Sequence, residues 1–168
     1  MPSPLLLAID IGKSGGLAWK FQGDTLCEKM PATESEVLGL LRELKEIHGH
    51  ELNTERNPPV AYVEKVGGFI GNAHPGSRMF TFGEGYGFVK GVLQCAGWRL
   101  VLVRPQDWQK GLGLSNPEKL PRNKWKNKLK DEAQRLFPTQ RPTLATADAL
   151  LILEYAGRME QGKECKEL

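Results

Sequence analysis

The chain has 168 residues, 40% of them hydrophobic, the length of one ordinary domain with enough apolar material for a core. Its formal net charge of +3 is mildly basic, which admits nucleic acid as a partner without requiring it. Cys27, Cys95 and Cys165 form neither a CxxC nor a Cys/His cluster, so they read as reduced thiols and exclude a zinc site built on them. No apolar run approaches the roughly 20 residues that span a bilayer, and the start lacks the pattern of a secretory signal. The expectation is a soluble protein without membrane contact, cytoplasmic or nucleoid-associated, or organellar if the chain is a processed form.

Residues 5–11, LLLAIDI, lie between Pro4 and Gly12 and read as a short buried strand. Residues 15–21 form a second strand, and Gln22, Gly23 and Asp24 are a hairpin signal leading to a third at 25–30. Thr33 is then an N-cap with Glu36 three residues later, followed by Val37, Leu40, Leu41, Leu44 and Ile47 at helical spacing. After a loop at 53–59, VAYVEKV is a fourth strand carrying Glu64 near its end.

Residues 67–76 are rich in glycine and polar side chains, and 80–96 can form a helix that contains Gly83, Gly85, Gly87 and Gly91. Each glycine costs roughly 1 kcal/mol relative to alanine in a helix interior, so close packing or close backbone approach is the expected compensation. WRLVLVRP is a fifth strand ended by Pro105, and RNKWKNKLKDEAQRLFP is a helix through Trp125, Leu129, Ala133 and Leu136 that Pro138 closes. TADALLILEYAGRM is the last helix, with Thr146 near its start and Asp148 in its first turn, and 160–168 is expected to fray. The order βββαβαβαα gives an α/β class: a mixed five-stranded sheet flanked by helices.

Asp10 is the anomaly in the first strand. A carboxylate among Leu5, Leu6, Leu7, Ala8, Ile9 and Ile11 is costly to ionise unless it is paired or binds a metal. Glu64 and Asp148 taken singly have plainer readings, as an exposed strand end and as a residue that suits a helix dipole. The first and fourth strands of a mixed sheet can be neighbours, however, so the three acids can converge. Their mutual repulsion is then relieved by a divalent cation, and oxygen ligands suit magnesium (Mg2+), with manganese (Mn2+) as a substitute. Paired ions of this kind serve phosphodiester cleavage.

The segments AIDIGKSGGLAW, AYVEKVGGF and ATADALLILEYAGR resemble the three acidic segments of RuvC-type Holliday junction resolvases. The stretch FTFGEGYGFVKGVLQCAGWRLVLVRPQDWQKGLGL is similar to the chloroplast and phage-like branch, the monokaryotic chloroplast type. This resemblance covers nearly the whole chain in order and implies one ribonuclease H-like nuclease domain over residues 1–168. It implies that Asp10, Glu64 and Asp148 are catalytic and hold the metal, and that a homodimer nicks opposed strands of four-way junction DNA. Many bacterial members carry an acid or histidine three residues before the last aspartate, where this chain has Ala145. The chloroplast-like branch uses an upstream lysine, which among Lys124, Lys126 and Lys128 points to Lys126 by its spacing from LFP. The glycines beside Asp10 are then expected to leave room for the DNA backbone.

Positive residues cluster near these segments. Lys65, Arg78, Lys90, Arg104 and Lys110 flank them, and Lys119, Arg122, Lys124, Lys126, Lys128 and Lys130 form a run that can follow phosphates or simply face water. Lys124 and Lys128 are the DNA-binding candidates in that run. In the loop after Glu64, Phe69 is a candidate wedge, while Asn72 and Arg78 can read base edges; His74 reads as a plain loop residue. Phe80 and Phe82 read as core, and Trp19, Trp98, Trp108 and Trp125 as packing against the sheet.

Two other functions remain open: a ribonuclease H-like nuclease acting on RNA–DNA hybrid or structured RNA, and a non-catalytic junction-binding protein. An actin-like ATPase needs two related halves, which this length does not hold.

Overall fold

A computed structural model describes residues 5–49, 58–65 and 76–164. Five strands form one sheet in the order β3-β2-β1-β4-β5: β1 Leu6–Asp10, β2 Gly16–Phe21, β3 Asp24–Lys29, β4 Val60–Glu64 and β5 Arg99–Val103. β1 pairs antiparallel with β2 and parallel with β4, β2 with β3 is antiparallel, and β4 with β5 is parallel. The helices are α1 Glu34–Gly49, α2 Gly76–Cys95, α3 Pro105–Gly111, α4 Arg122–Leu136 and α5 Ala147–Glu164, with a 3-10 turn at Pro138–Gln140.

Local chemistry explains most of these boundaries. The β2–β3 hairpin turns on Gln22 (φ 50°) and Gly23 (φ 96°), both left-handed, as a tight two-residue hairpin of the right twist demands. Before α1, the Thr33 amide donates to Glu36 Oε2 (2.9 Å) and the Glu36 amide donates to Thr33 Oγ1 (3.2 Å), the reciprocal capping expected from that pair. α3 was not anticipated. It is a seven-residue helix that begins at Pro105, where a fixed φ and a missing N–H cost nothing.

The three inner strands, β2, β1 and β4, are buried on both faces. Leu5, Leu7, Ile9, Leu17, Ala61 and Val63 pack with Val37, Leu41 and Leu44 of α1 and Val89 and Leu93 of α2. Leu6, Ala8, Ala18, Val60 and Tyr62 pack on the opposite side with Trp108 of α3, Leu129 and Ala133 of α4, and the apolar run of α5. Because strand side chains alternate, the even-numbered residues of β1 and β4 all turn toward α5.

Three expectations need correction. Gly83, Gly85, Gly87 and Gly91 have open space where a Cβ would stand, so close packing within the chain does not compensate them. Phe80 is 68% exposed rather than in the core. The end does not fray from residue 160: α5 continues to Glu164, and Glu160 accepts a hydrogen bond from Tyr62 Oη (2.6 Å) and an ion pair from Arg99. Among the described residues, no helix is long and apolar enough to cross a membrane.

Candidate active site

Asp10 is the last residue of β1, the central strand, and Glu64 is the last residue of β4 beside it. The parallel register pairs Ala8 with Tyr62 and Ile9 with Val63, so one further step sets Asp10 beside Glu64. Both have even numbers, so both turn to the face covered by α5, where Asp148 occupies the first turn. Asp10 and Glu64 line an open cleft of about 1810 Å³, whereas Asp148 is buried at 3% exposure.

The glycines that follow β1 make this arrangement sterically possible. Gly12 adopts φ 136°, and the Gly15 amide donates to the Gly12 carbonyl (2.9 Å), closing a tight loop. A Cβ on Gly15 would lie 2.0 Å from the Asp10 carbonyl oxygen, and one on Gly16 would lie 2.6 Å from the Ala145 oxygen. At Gly15 and Gly16 the space of a side chain is taken by the chain's own backbone, while Gly12 and Gly15 also line the cleft.

Lys126 completes the cluster. It lies on α4 three residues before Leu129 and seven before Ala133, both buried, so it shares their inward face. Its ammonium donates to Asp148 Oδ2, while Asp148 Oδ1 is buried without a partner among the described residues. Glu64 is held by Trp108, whose indole N–H donates to Oε2 at 2.8 Å.

Like charge and burial dominate the electrostatics. Burial, then the carboxylates of Asp148 and Glu64, push the Asp10 pKa up to about 7 against the opposing pull of Lys126 and Arg122. Burial also raises Glu64, and the Trp108 hydrogen bond opposes it. For Lys126, burial works against the charged form, but attraction to Asp148, Asp10 and Glu64 prevails and holds the ammonium above its ordinary range.

The donor set suits a hard divalent cation: carboxylate oxygens, one of them buried and orphaned, another on a carboxyl that its neighbours resist ionising. As they stand, no three His, Cys, Asp or Glu side chains among the described residues make a ready cage. Lys126 already serves Asp148 Oδ2, so a cation has Asp10, Glu64 and Asp148 Oδ1 to draw on, with side-chain adjustment.

No protein-family model matches the chain, and no curated protein matches it. Solved structures do. The RuvC of T. thermophilus in complex with a Holliday junction substrate superposes with a TM-score of 0.53 at 16% identity, covering 93% of this chain and 96% of that one. A second Thermus thermophilus RuvC structure gives 0.53 at 18% identity with the same coverages. The fold is RuvC-like.

Within this RuvC-like fold the expected residues separate clearly. Asp10, Glu64, Asp148 and Lys126 come together, although Asp10 ends its strand instead of sitting inside it. Lys65 lines the cleft, and so does Ala145. Lys124 and Lys128 are exposed on α4 but outside the cleft, because the face that turns Lys126 inward turns them away. Phe69, Asn72 and His74 lie outside the described residues, as does the side chain of Arg78.

Two cleft lysines escaped the sequence reading, and Phe82, read as core, lines the cleft as well. Lys13 and Lys29 join Arg104 and Arg122 on its rim, and the half-buried Phe82 lies 3.5 Å from where a Cβ on Gly12 would stand. Lys13 follows the Asp-Ile-Gly turn directly, which was the available signal. Trp108 read as packing, and nothing in its spacing distinguishes a packing indole from one that also donates to a catalytic candidate.

Proposed function

We propose that the chain is a divalent-metal-dependent endonuclease that resolves four-way DNA junctions by paired, symmetric nicks, acting as a homodimer. The observation that carries this reading is the meeting of Asp10, Glu64 and Asp148 with Lys126 beside a cleft rimmed by Lys13, Lys29, Lys65, Arg104 and Arg122. The solved relative bound to a Holliday junction supports the choice of substrate. Ala145 in place of a fourth acid, together with Lys126, favours the chloroplast and phage-like branch.

Asp10, Glu64 and Asp148 would hold magnesium or manganese, which supplies an activated water and charge stabilisation at the phosphate when bound. The chain's residues divide the remaining work. The rim cations hold the phosphate backbone over the acids, and Lys126 offers positive charge to the scissile phosphate. β1 and β4 fix Asp10 and Glu64 on rigid elements, which keeps the reacting geometry tight. Opposed nicks need two such sites, and α2 offers a contact surface between copies, with open glycines and the exposed Phe80.

The test is cleavage of a labelled synthetic four-way junction beside linear duplex and RNA–DNA hybrid, with magnesium or manganese and with Asp10→Asn as control. Paired symmetric nicks on the junction alone, lost in Asp10→Asn while junction binding persists, are expected. Cutting only the hybrid would move the activity to a ribonuclease, and tight junction binding without cutting would leave a non-catalytic binder.

A further inference from the structure

Trp108 is fully buried at 0% exposure, and its indole N–H points to Glu64 Oε2 at 2.8 Å. Its ring belongs to the core cluster with Tyr62, Val103, Leu129 and Leu150, so packing fixes the donor's position independently of Glu64.

The local backbone adds a second constraint. Glu64 pairs with Val103 in the β4–β5 register, and the Lys65 amide donates to the Val103 carbonyl at 2.7 Å. β5 then passes through Arg104 into α3, where Arg104 forms a two-point pair with Asp107: Nε to Oδ2 at 2.8 Å and Nη2 to Oδ1 at 3.1 Å. Trp108 is the next residue. The Glu64 backbone and the indole that holds its side chain are therefore tied to the same short stretch of chain.

Indole is suited to such a task. It is a donor only, has no lone pair in the plane to offer a metal, and does not ionise in the working pH range. A lysine or histidine there would compete for the cation or repel it, whereas indole commits one carboxylate oxygen and leaves the other available. Partners of this kind set the orientation of metal ligands, and losing one typically lowers affinity about 10-fold to 100-fold.

We propose that Trp108 is a positioning residue that presents Glu64 Oε1 to the divalent cation by holding Oε2. The proposal rests on the metal-nuclease reading above. The decisive variant carries benzothienylalanine at position 108, which keeps the ring's shape and replaces N–H by sulfur; Trp108→Phe is the genetically simple companion. Mn2+ binding is measured without DNA, from the electron paramagnetic resonance of the free ion, alongside junction kcat and KM.

The expected result for the benzothienylalanine protein is about 10-fold weaker Mn2+ binding and a lower kcat, with KM and the thermal transition close to wild type. In a Glu64→Gln background the same replacement should leave Mn2+ affinity unchanged, because a ligand already lost cannot be mispositioned. Wild-type Mn2+ affinity and kcat in the folded benzothienylalanine protein would overturn the role of Trp108 and leave the nuclease reading intact. A wild-type protein that binds no Mn2+ sensitive to Asp10→Asn or Glu64→Gln would overturn both.

Discussion

Lys126 Nζ donates to Asp148 Oδ2, while the other oxygen of the same buried carboxylate has no partner among the described residues. Breaking a buried pair from one side leaves an uncompensated charge, at a cost of about 3 to 5 kcal/mol when both groups are fully enclosed. The Lys126 side chain remains 32% exposed, so Lys126→Met should cost less, about 2 kcal/mol after solvent screening. Urea unfolding without metal would measure it, and adding Asp148→Asn to Lys126→Met should recover most of the loss. Junction cleavage by Lys126→Met should fall about 100-fold or more, in the range seen when a group stabilising transition-state charge is removed.

Asp10 gives the metal-free protein a distinctive pH dependence. Its carboxyl is raised from 3.8 to about 7 in the fold, so between those values the folded state holds a proton that the unfolded chain has released. Stability then falls as pH rises through that window and levels off above it. Asp10→Asn removes the effect and should raise Tm by about 5 °C at pH 8, with a much smaller gain at pH 5. Melting curves in a chelating buffer check this, and equal gains at both pH values would contradict it.

Gly16 tests the steric argument for the turn after β1. A Cβ there meets two backbone oxygens, those of Ala145 at 2.6 Å and Glu28 at 2.8 Å, which cannot swing aside as side chains do. Gly16→Ala should cost about 2 to 3 kcal/mol, as overpacked sites do, and should also lower cleavage because Ala145 leads directly into the helix that carries Asp148. Denaturant unfolding and a junction assay on the refolded variant measure the two effects separately.

The cleft rim predicts which cations carry DNA affinity. Replacing both Lys13 and Lys29 by alanine should lessen the slope of log affinity against log salt by about 2, roughly one per lost phosphate contact. The pair Lys124 and Lys128, outside the cleft, should change it less. Binding titrations of an Asp10→Asn junction complex at several salt concentrations discriminate the two sets.

The sheet was legible from its apolar runs and Asp10 from the cost of a carboxylate among them, whereas Glu64 and Asp148 had plainer readings alone and were drawn in by possible strand adjacency and by the resemblance of their segments. An aspartate ending LLLAID needs compensation, and the strand-side alternation then fixes which face it shares with Glu64. Lys126 was reachable through the resemblance and its spacing from LFP, and the structure adds the reason: it shares the inward face of Leu129 and Ala133 on α4. α3 was not, since seven residues contain too little periodicity to declare a helix. The Trp108 contact was hidden for a different reason: an indole satisfies packing and hydrogen bonding at once, and the sequence records only the first. The stretch after residue 159 reads as a polar tail because its anchors, Tyr62 and Arg99, lie 98 and 61 residues away.

That distant anchor bears on how α5 is held. Asp148 and Glu160 are twelve positions apart, about 18 Å of helix, and the far end is fastened to β4 through Tyr62 and to β5 through Arg99. The helix thus works as a ruler of fixed length, braced at one end and carrying an acid at the other. Its near end has little freedom to drift, and the distance from Asp148 to the ends of β1 and β4 is gauged from the opposite side of the molecule.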